Sequence, residues 1–263
     1  MYLVFDTETT GLPINFSKPI SDFKNWDTAR CVQIAWQLHD ELGLLIESSN
    51  DLIKPDGFEI PLESTDIHGI SNDIASLNGI SISKALDKLS NVLSKTIFLI
   101  GHNVNFDINV LGSEYLRLDQ ENQLVNFETI DTMKTTVDFC QLSFGQKGIV
   151  KTINNNGQWT GRDGVVMYKF KIDIYNNITG TIDQGLIHKK SEQLPNLNIG
   201  DEVSYTINNK GTIRTRKGFK PPKLGELYAK LFNDPYLDNY AHNGAADVNA
   251  TARCFFEILR QNI

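Results

Sequence analysis

Three short stretches of the sequence place acidic side chains where they could carry out chemistry. Asp6 and Glu8 stand two residues apart at the end of an apolar run, so in an extended strand their carboxylates project to the same side. Asp107 follows a second apolar run and falls in the first turns of a predicted helix, and His242 and Asp247 bracket small residues at the start of another. Taken singly, each residue also has an ordinary structural explanation, because Asp is common at helix N-termini.

The combination is more informative than its members. Two of the stretches begin where a predicted buried strand ends, which is where open α/β sheets carry their sites. Four carboxylates gathered at one sheet edge repel one another unless they are protonated or neutralised by cations. Mg²⁺ prefers oxygen ligands, and a pair of such ions promotes in-line phosphoryl displacement. With His242 as the general base for water, the sequence predicts the site of a metal-dependent nuclease.

The elements that must position these residues predict an α/β domain with a mixed sheet. Apolar runs predict strands, and apolar residues at helical spacing predict helices. The predicted strands cover residues 2–5, 32–40, 44–53, 97–100 and 125–130. The predicted helices cover residues 82–93, 105–117, 224–232 and 245–259. A strand hairpin followed by alternating helices and strands indicates a mixed sheet, and small residues at 244–246 are expected to let the last helix approach it closely.

A middle segment, residues 145–217, differs from the rest of the chain. It carries 11 Lys and Arg and 6 Asp and Glu, a net charge of +5 in a chain of net charge −7, so the remainder carries −12. Consecutive strands are predicted at 148–153, 165–175, 178–183, 202–208 and 211–216. This change predicts a discontinuous host domain, residues 1–144 and 218–263, and an inserted all-β domain, residues 145–217. In the strand at 165–175, alternation predicts one apolar and one polar face.

Composition restricts the class of protein. The chain has 263 residues, 40% hydrophobic and 22% charged, as expected for a globular protein with a sizeable core. Because no apolar run approaches about 20 residues and the first apolar run ends at Asp6, we expect neither a membrane span nor a cleavable signal peptide. Three scattered cysteines without metal-ligand spacing favour a reducing, cytoplasmic location. The negative net charge argues against a protein that coats nucleic acid by bulk charge.

Together the three stretches resemble the motifs of the DnaQ-like 3′→5′ exonucleases of the DEDDh type, the superfamily of the polymerase III proofreading subunit, oligoribonuclease and ribonuclease T. The matching stretches are residues 5–12, 101–107 and 242–247, and the resemblance covers 1–144 and 218–263. It implies a ribonuclease H-like exonuclease fold. It also implies that the general base is His242 and that the metal ligands are Asp6, Glu8, Asp107 and Asp247. The four residues between His242 and Asp247 match the His subtype of the superfamily, not the Tyr subtype.

The resemblance further implies contacts with the terminal nucleotide of a substrate. The residues at the matching positions are Thr9, Thr10, Gly11, Leu12, His68, Ile70, Asn103 and Phe106. Structural roles are equally good explanations for some of them. Asn103 is also explained as a helix cap, Phe106 as a core residue and His68 as a turn residue.

The inserted segment departs from the simpler members of the superfamily. Residues 197–205 are similar to a stretch of OB-type barrels, although the aromatic signature of cold-shock domains is missing, so an OB-like barrel is expected. Such barrels bind single strands through basic and aromatic side chains. The candidates are Trp159, Lys169, Lys171, Tyr175, Arg214 and Arg216. A solvated barrel face and a surface that docks a protein partner are the alternatives.

Two classes of function follow. The first is an exonuclease that uses two divalent metal ions, Mg²⁺ with Mn²⁺ able to substitute, to trim single-stranded DNA or RNA 3′ ends, with DNA favoured. A DNA polymerase or a replication or repair complex is then an expected partner. The second is a nucleic-acid-binding or scaffold protein on an inactive nuclease fold. Because all five active-site residues are present, the first class is favoured, while the choice between DNA and RNA stays open.

Overall fold

The structure is a computed structural model that describes residues 1–190, 196–235 and 242–263. It divides into two compact units. One consists of Met1–Cys140 and Pro222–Ile263 and the other of Gln141–Pro221; they are called the host unit and the inserted unit below. Each has a hydrophobic core of its own. Within the described ranges, no helix combines the length and the apolar character that crossing a membrane requires.

The host unit is built on a five-stranded mixed sheet. Its strands are β1 (Tyr2–Thr9), β2 (Cys31–His39), β3 (Leu45–Leu52), β4 (Phe98–Gly101) and β5 (Glu128–Asp131). The order across the sheet is β3-β2-β1-β4-β5. β2 runs antiparallel to both of its neighbours, whereas β1, β4 and β5 are mutually parallel. The mixed α/β sheet predicted from the order of the elements is therefore confirmed.

Helices occupy the connections between these strands and follow the insertion. In chain order they are α1 (Phe23–Trp26), α2 (Leu62–His68), α3 (Asn72–Asn78), α4 (Ile82–Leu93), α5 (Val104–Arg117), α6 (Thr132–Thr135), α7 (Val137–Cys140), α8 (Leu224–Phe232) and α9 (Gly244–Gln261). The ranges of α4 and α8 are those predicted from apolar periodicity. A strand was expected from residue 125, but Gln123–Asn126 form a 3-10 helix because the Asn122 side chain accepts the Leu124 N–H at 3.1 Å.

The first strand is longer than its apolar run. β1 pairs with β4 only as far as Val4, opposite Ile100. Its pairing with β2 continues through Glu8, opposite Gln33, to Thr9, opposite Cys31, with a register shift between Glu8 and Thr9. The second half of β1 therefore has a neighbouring strand on one side only. Its other side lies beyond the carboxyl end of β4, where α5 begins.

Helix α9 packs directly against the sheet. Its buried residues Val248 and Phe255 share a cluster with Val4 of β1. At the first residue of the helix, Gly244, an added Cβ would lie 2.6 Å from Oε1 of Gln33. Any larger residue would have to displace the Gln33 amide, so the prediction that small residues let the helix approach the sheet closely is confirmed at Gly244.

The inserted unit contains one five-stranded antiparallel sheet. Its strands are β6 (Gln146–Thr160), β7 (Val166–Asn176), β8 (Ile182–Lys189), β9 (Glu202–Ile207) and β10 (Ile213–Arg216), in the order β10-β9-β6-β7-β8. The predicted apolar face of β7 is confirmed, because Phe170, Ile172 and Ile174 are buried in the core of this unit. β8 begins later than predicted, since the Asn176 side chain accepts the Ile178 N–H at 2.9 Å and holds a turn there.

The expected closed barrel is not shown. In the described part of the chain, the edge strands β8 and β10 share no ladder. They are linked by one isolated parallel bridge between Leu186 and Thr212, with the Leu186 N–H donating to the Gly211 carbonyl at 2.9 Å. β10 has only four residues and begins just after this bridge, so no further pairing forms. The inserted unit is therefore a five-stranded sheet whose two edges meet at a single point.

Candidate active site

Thr7 connects the first and second motifs. Its N–H and its Oγ1 both donate to Oδ1 of Asp107, at 2.9 and 2.7 Å, in a buried setting. Asp107 lies in the first turn of α5 and is only 3% exposed. The two bonds therefore hold Asp107 against the segment of β1 that carries Asp6 and Glu8.

The start of α5 is fixed by a residue of β5. Asn103 precedes the helix in a left-handed conformation, with φ of 71°, and its N–H donates to Oδ1 of Asp131 at 3.0 Å. Oδ1 of Asp131 also accepts the Met133 N–H at 3.1 Å, which caps α6. The side chain of Asn103 makes no capping hydrogen bond and is exposed. The structure thus assigns the anchoring role to Asp131 and leaves the amide of Asn103 available.

Gln33 of β2 attaches the third motif to the sheet. Its Oε1 accepts the Gly244 N–H at 3.1 Å, and its Nε2 donates to Oδ1 of Asn50 at 2.8 Å, which orients the amide. His242 is left-handed, with φ of 67°, and its N–H donates to Oδ2 of Asp247 at 2.8 Å. These contacts hold His242 and Asp247 beside Glu8, whose partner across the ladder is Gln33.

The geometry brings three potential metal ligands together. Glu8, His242 and Asp247 each offer one ligand atom, and these atoms all lie within 4.8 Å of one another. Glu8 and Asp247 are buried, at 8% exposed each, whereas His242 is exposed. The arrangement leaves the imidazole at the surface with two carboxylates beside it.

The carboxylates of the cluster hold protons unusually tightly. Burial, reinforced by the charges of Asp247 and Asp107, raises the pKa of Glu8 to about 8. Burial also raises the pKa of Asp107 to about 7. The pKa of Asp6 is raised well above its usual value by burial and then by the charges of the other three carboxylates. Four such groups cannot all be ionised without cations, and their hard oxygen donors suit divalent ions.

The turn after β1 is held in shape by residues 28–30. The Thr10 N–H donates to the Arg30 carbonyl at 2.9 Å, and its Oγ1 donates to the Thr28 carbonyl at 3.1 Å. Gly11 has φ of 148°, and a Cβ there would lie 3.0 Å from the Thr28 carbonyl oxygen. Leu12 is 63% exposed. Thr10 and Gly11 therefore shape the turn, and Leu12 is the member of the turn that a ligand can reach.

His68 and Ile70 occupy different surroundings. Nδ1 of His68 accepts the Ile70 N–H at 3.1 Å. Burial lowers the pKa of His68, and the nearby His242 lowers it further, so the two imidazoles lie in the same region. Ile70 is buried in a small cluster with Val32 and Ile60. His68 is thus close to the candidate site, while the side chain of Ile70 belongs to the core. Thr9 bonds within its own turn, from Oγ1 to the Gly11 carbonyl at 2.7 Å.

Phe106, directly before Asp107, packs against the host core. Its ring centroid lies 6.3 Å from that of Phe16, a residue that sequence reasoning missed. The available signal was the alternation of apolar residues, Leu12, Ile14 and Phe16, just after the first motif. Thr7 and Gln33 were also missed as positioning residues; their signals were a hydroxyl between two carboxylates and a lone amide within an apolar strand.

Residues 3–152, more than half of the chain, match the sequence profile of the family described as exonuclease (RNase T). The chain belongs to the exonuclease family. No curated protein matches its sequence.

Solved structures share the fold of this exonuclease-family chain. E. coli Exonuclease I in complex with a dA16 oligonucleotide superimposes with a TM-score of 0.55 at 16% identity, covering 98% of this chain and 40% of that chain. The same enzyme with a 5cy-dT13 oligonucleotide gives a TM-score of 0.52 at 16% identity, covering 99% and 40%. At this identity the likeness shows a common fold. The chain spans about two fifths of the length of these Exonuclease I chains.

In the inserted unit, four of the six predicted binding residues lie on β6 and β7. Trp159 is 42% exposed, and its ring meets that of His188 edge-on, with centroids 5.2 Å apart. Lys169 is the cross-strand partner of His188. Because residues paired across strands share a face, Trp159, His188 and Lys169 form one cluster. His188 was not among the binding residues predicted from the sequence.

The other predicted residues of the inserted unit fall into two further groups. Tyr175 is exposed, and Nζ of Lys151 lies 5.5 Å from its ring centroid. Arg216, on β10, lies over the ring of Phe144 at 4.5 Å. Lys171, on β7, and Arg214, on β10, are both exposed. The structure thus joins Tyr175 to Lys151, which sequence reasoning missed, and places the two arginines on a different strand.

Proposed function

We propose that this chain is a metal-dependent 3′→5′ exonuclease that removes nucleotides from single-stranded ends, with DNA the favoured substrate. The observation that carries the proposal is the convergence of four carboxylates from three separate motifs with an exposed histidine. Membership of the exonuclease family supports hydrolysis of a phosphodiester bond. The raised pKa values of the carboxylates support a site at which bound cations neutralise the carboxylate charge.

Asp6, Glu8, Asp107 and Asp247 would hold two divalent cations, Mg²⁺ by preference and Mn²⁺ as a substitute. When bound, two such ions stabilise the attacking and leaving oxygens of an in-line phosphodiester hydrolysis. The other steps belong to side chains of the chain itself. Thr7 fixes the direction of the Asp107 carboxylate through two hydrogen bonds.

His242 is proposed as the general base. Its imidazole is exposed, so water can reach it, and its place beside Glu8 and Asp247 suits it to accept the proton of the attacking water. The hydrogen bond from the backbone N–H of His242 to Asp247 holds this residue beside the carboxylates. Positioning of this kind is what general-base catalysis requires.

The terminal nucleotide is proposed to contact the side chains around the turn after β1. The exposed Leu12 and the free amide of Asn103 support such a contact. His68 supports it by lying near His242, and Phe106 by its place next to Asp107. Thr9, Thr10 and Gly11 act through the shape of the turn.

We infer that the inserted unit binds the single strand as well. Exposed rings beside basic groups, Trp159 with His188 and Tyr175 with Lys151, support stacking of unpaired bases. The strand order and the bridge between β8 and β10 support an OB-type topology, which commonly binds single strands. Because the two units are one chain, binding by one raises the effective concentration of the strand at the other.

The proposed activity is tested with single strands labelled at the 5′ end, DNA and RNA in parallel. With Mg²⁺, the label is expected to move through a ladder of products shortened from the 3′ end, and EDTA should stop the reaction reversibly. A circular single strand is the control and should resist cleavage. Binding of the strands without cleavage in Mg²⁺ or Mn²⁺ would instead support a nucleic-acid-binding protein on an inactive nuclease fold.

A further inference from the structure

The loop that follows the turn after β1 exposes a row of apolar side chains. Leu12, Ile14 and Phe16 are 63%, 74% and 59% exposed. Single exposed apolar residues are common on protein surfaces, but three within five residues of one loop, next to a candidate site, indicate a binding surface. Phe16 was not among the predicted site residues.

The backbone of this loop is held firmly. The Asn25 carbonyl accepts the Ile14 N–H at 3.2 Å, and Oδ1 of Asn25 accepts the Asn15 N–H at 2.7 Å. Oδ1 of Asn15 in turn accepts the Ser17 N–H at 2.8 Å. Residues on both sides of Phe16 are therefore fixed by hydrogen bonds. Its exposed ring is presented by an ordered loop, which lowers the entropy that a ligand must remove on binding.

The ring of Phe16 contacts the candidate active site through Phe106. The two centroids are 6.3 Å apart and the planes are tilted by 48°. Phe106 packs against the host core and directly precedes Asp107, which Thr7 anchors. The Phe16 ring thus has an aromatic neighbour that directly precedes one of the carboxylates, while 59% of the residue remains exposed to solvent.

We propose that Phe16 is a substrate-binding residue whose ring stacks on a nucleobase of the single strand, with Phe106 as its rigid neighbour. This inference rests on the proposed function, which makes single-stranded nucleic acid the ligand. Every base offers a π face, so such a contact is tolerant of sequence. Phe16 would then bind the strand and leave the chemical step to the carboxylates and His242.

The first test compares Phe16→Ala with the conservative Phe16→Trp. Phe23→Ala is the matched control, because it removes another exposed ring, at the start of α1. We expect Phe16→Ala to raise KM for a single strand about 5- to 150-fold, the equivalent of about 1–3 kcal/mol, with kcat almost unchanged. Phe16→Trp and Phe23→Ala should stay close to the wild type. Melting temperatures confirm that all variants fold.

The second test identifies the base. Single strands that carry one abasic residue at successive positions from the 3′ end are bound to the wild type and to Phe16→Ala in EDTA. At one position, the missing base should weaken binding by the wild type but leave binding by Phe16→Ala nearly unchanged. Unchanged affinity in Phe16→Ala, or losses that add at every position, would overturn the stacking contact.

The two proposals fail in different ways. A wild type that binds single strands but does not cleave them contradicts the exonuclease activity. The binding measurements with abasic strands still test the role of Phe16 in that case. A wild type that cleaves normally, with Phe16→Ala indistinguishable from it in KM and affinity, contradicts only the role of Phe16. A wild type that binds no single strand contradicts both.

Discussion

Burial, and then the charges of three other carboxylates, raise the pKa of Asp6, so it is the residue through which the metal assignment is best tested. Asp6→Ala should lower Mg²⁺-dependent cleavage by at least about 10²–10³-fold, the usual loss when a group that stabilises transition-state charge is removed. Its melting temperature in EDTA should equal or exceed that of the wild type, because one repelling charge is gone. Asp66→Ala, on the exposed surface of α2, is the control. Substantial Mg²⁺-dependent cleavage by Asp6→Ala would rule out the assignment.

The role of His242 is tested by removing and then replacing its imidazole. His242→Ala should lower kcat by about 10²–10⁴-fold, the usual contribution of general-base catalysis, with affinity for the single strand preserved. Because the side chain is exposed, added imidazole should restore part of the rate. If more Mg²⁺ restores the rate and imidazole does not, His242 is a metal ligand and not the base.

The raised carboxyl pKa values predict how the metal-free protein responds to pH. Folding raises the pKa of Glu8 to about 8 and that of Asp107 to about 7, above ordinary values near 4. The folded state therefore binds more protons than the unfolded state between about pH 4 and pH 8, and stability falls as pH rises through this window. In EDTA, we expect the melting temperature to fall by about 5 °C or more from pH 5 to pH 8.5.

Adding Mg²⁺ at pH 8.5 should recover most of this loss, because cations replace the protons as counter-charges. Asp107→Asn is the matched variant. It removes one titrating group, so its melting temperature in EDTA should depend less on pH than that of the wild type. A melting temperature that is flat from pH 5 to pH 8.5 would contradict the clustering of buried carboxylates.

At the scale of elements, the third motif depends on one amide in the neighbouring strand. Gln33 accepts the Gly244 N–H at the start of α9, so Gln33→Leu would leave that buried donor unsatisfied. We expect a loss of about 1–3 kcal/mol in the free energy of unfolding, together with a fall in kcat that exceeds any change in KM. Asn50→Ala is the matched control, since it removes only the partner that orients the amide and should cost less. Wild-type kcat in a folded Gln33→Leu protein would show that this anchor does not position His242 and Asp247.

The whole molecule combines an acidic host segment with a basic insertion, and the binding role of the insertion is tested in the full chain. Lys169 and Lys171 lie on β7, which also carries the exposed ring of Tyr175. Lys169→Ala combined with Lys171→Ala should weaken binding of a long single strand in metal-free buffer. The dependence of log Kd on log salt should become shallower by about 0.7 for each phosphate that the variant no longer neutralises. Lys210→Ala, on the turn between β9 and β10, is the control.

Excision of residues 145–217 provides a second measurement. The ends of the inserted unit are adjacent, because the Lys220 N–H donates to the Leu142 carbonyl at 2.8 Å, so a short Gly/Ser loop can close the gap. Cleavage of a dinucleotide should be nearly unchanged, whereas affinity for long strands should fall. If a well-folded deletion keeps the affinity and the salt dependence of the wild type, docking of a protein partner becomes the better explanation of the insertion.

Features that arise from local pattern could be predicted from the sequence. Apolar spacing alone located α4 and α8 and the two faces of β7, because the periods of helices and strands are properties of neighbouring residues. The order of these elements was enough to predict the mixed sheet of the host unit. Local pattern was less successful at strand starts, where the side chains of Asn122 and Asn176 hold turns that apolar runs do not reveal.

Contacts between distant side chains depend on how the whole chain folds. Thr7 and Asp107 are 100 residues apart in sequence, and Gln33 and Gly244 are 211 apart. The meeting of Phe16 with Phe106 and the single bridge that joins the two edges of the inserted sheet likewise depend on packing. Periodicity carries no information about contacts between distant segments, because these depend on how helices and strands pack against one another. The motifs were therefore visible in the sequence, whereas the residues that hold them in place became visible only in the folded chain.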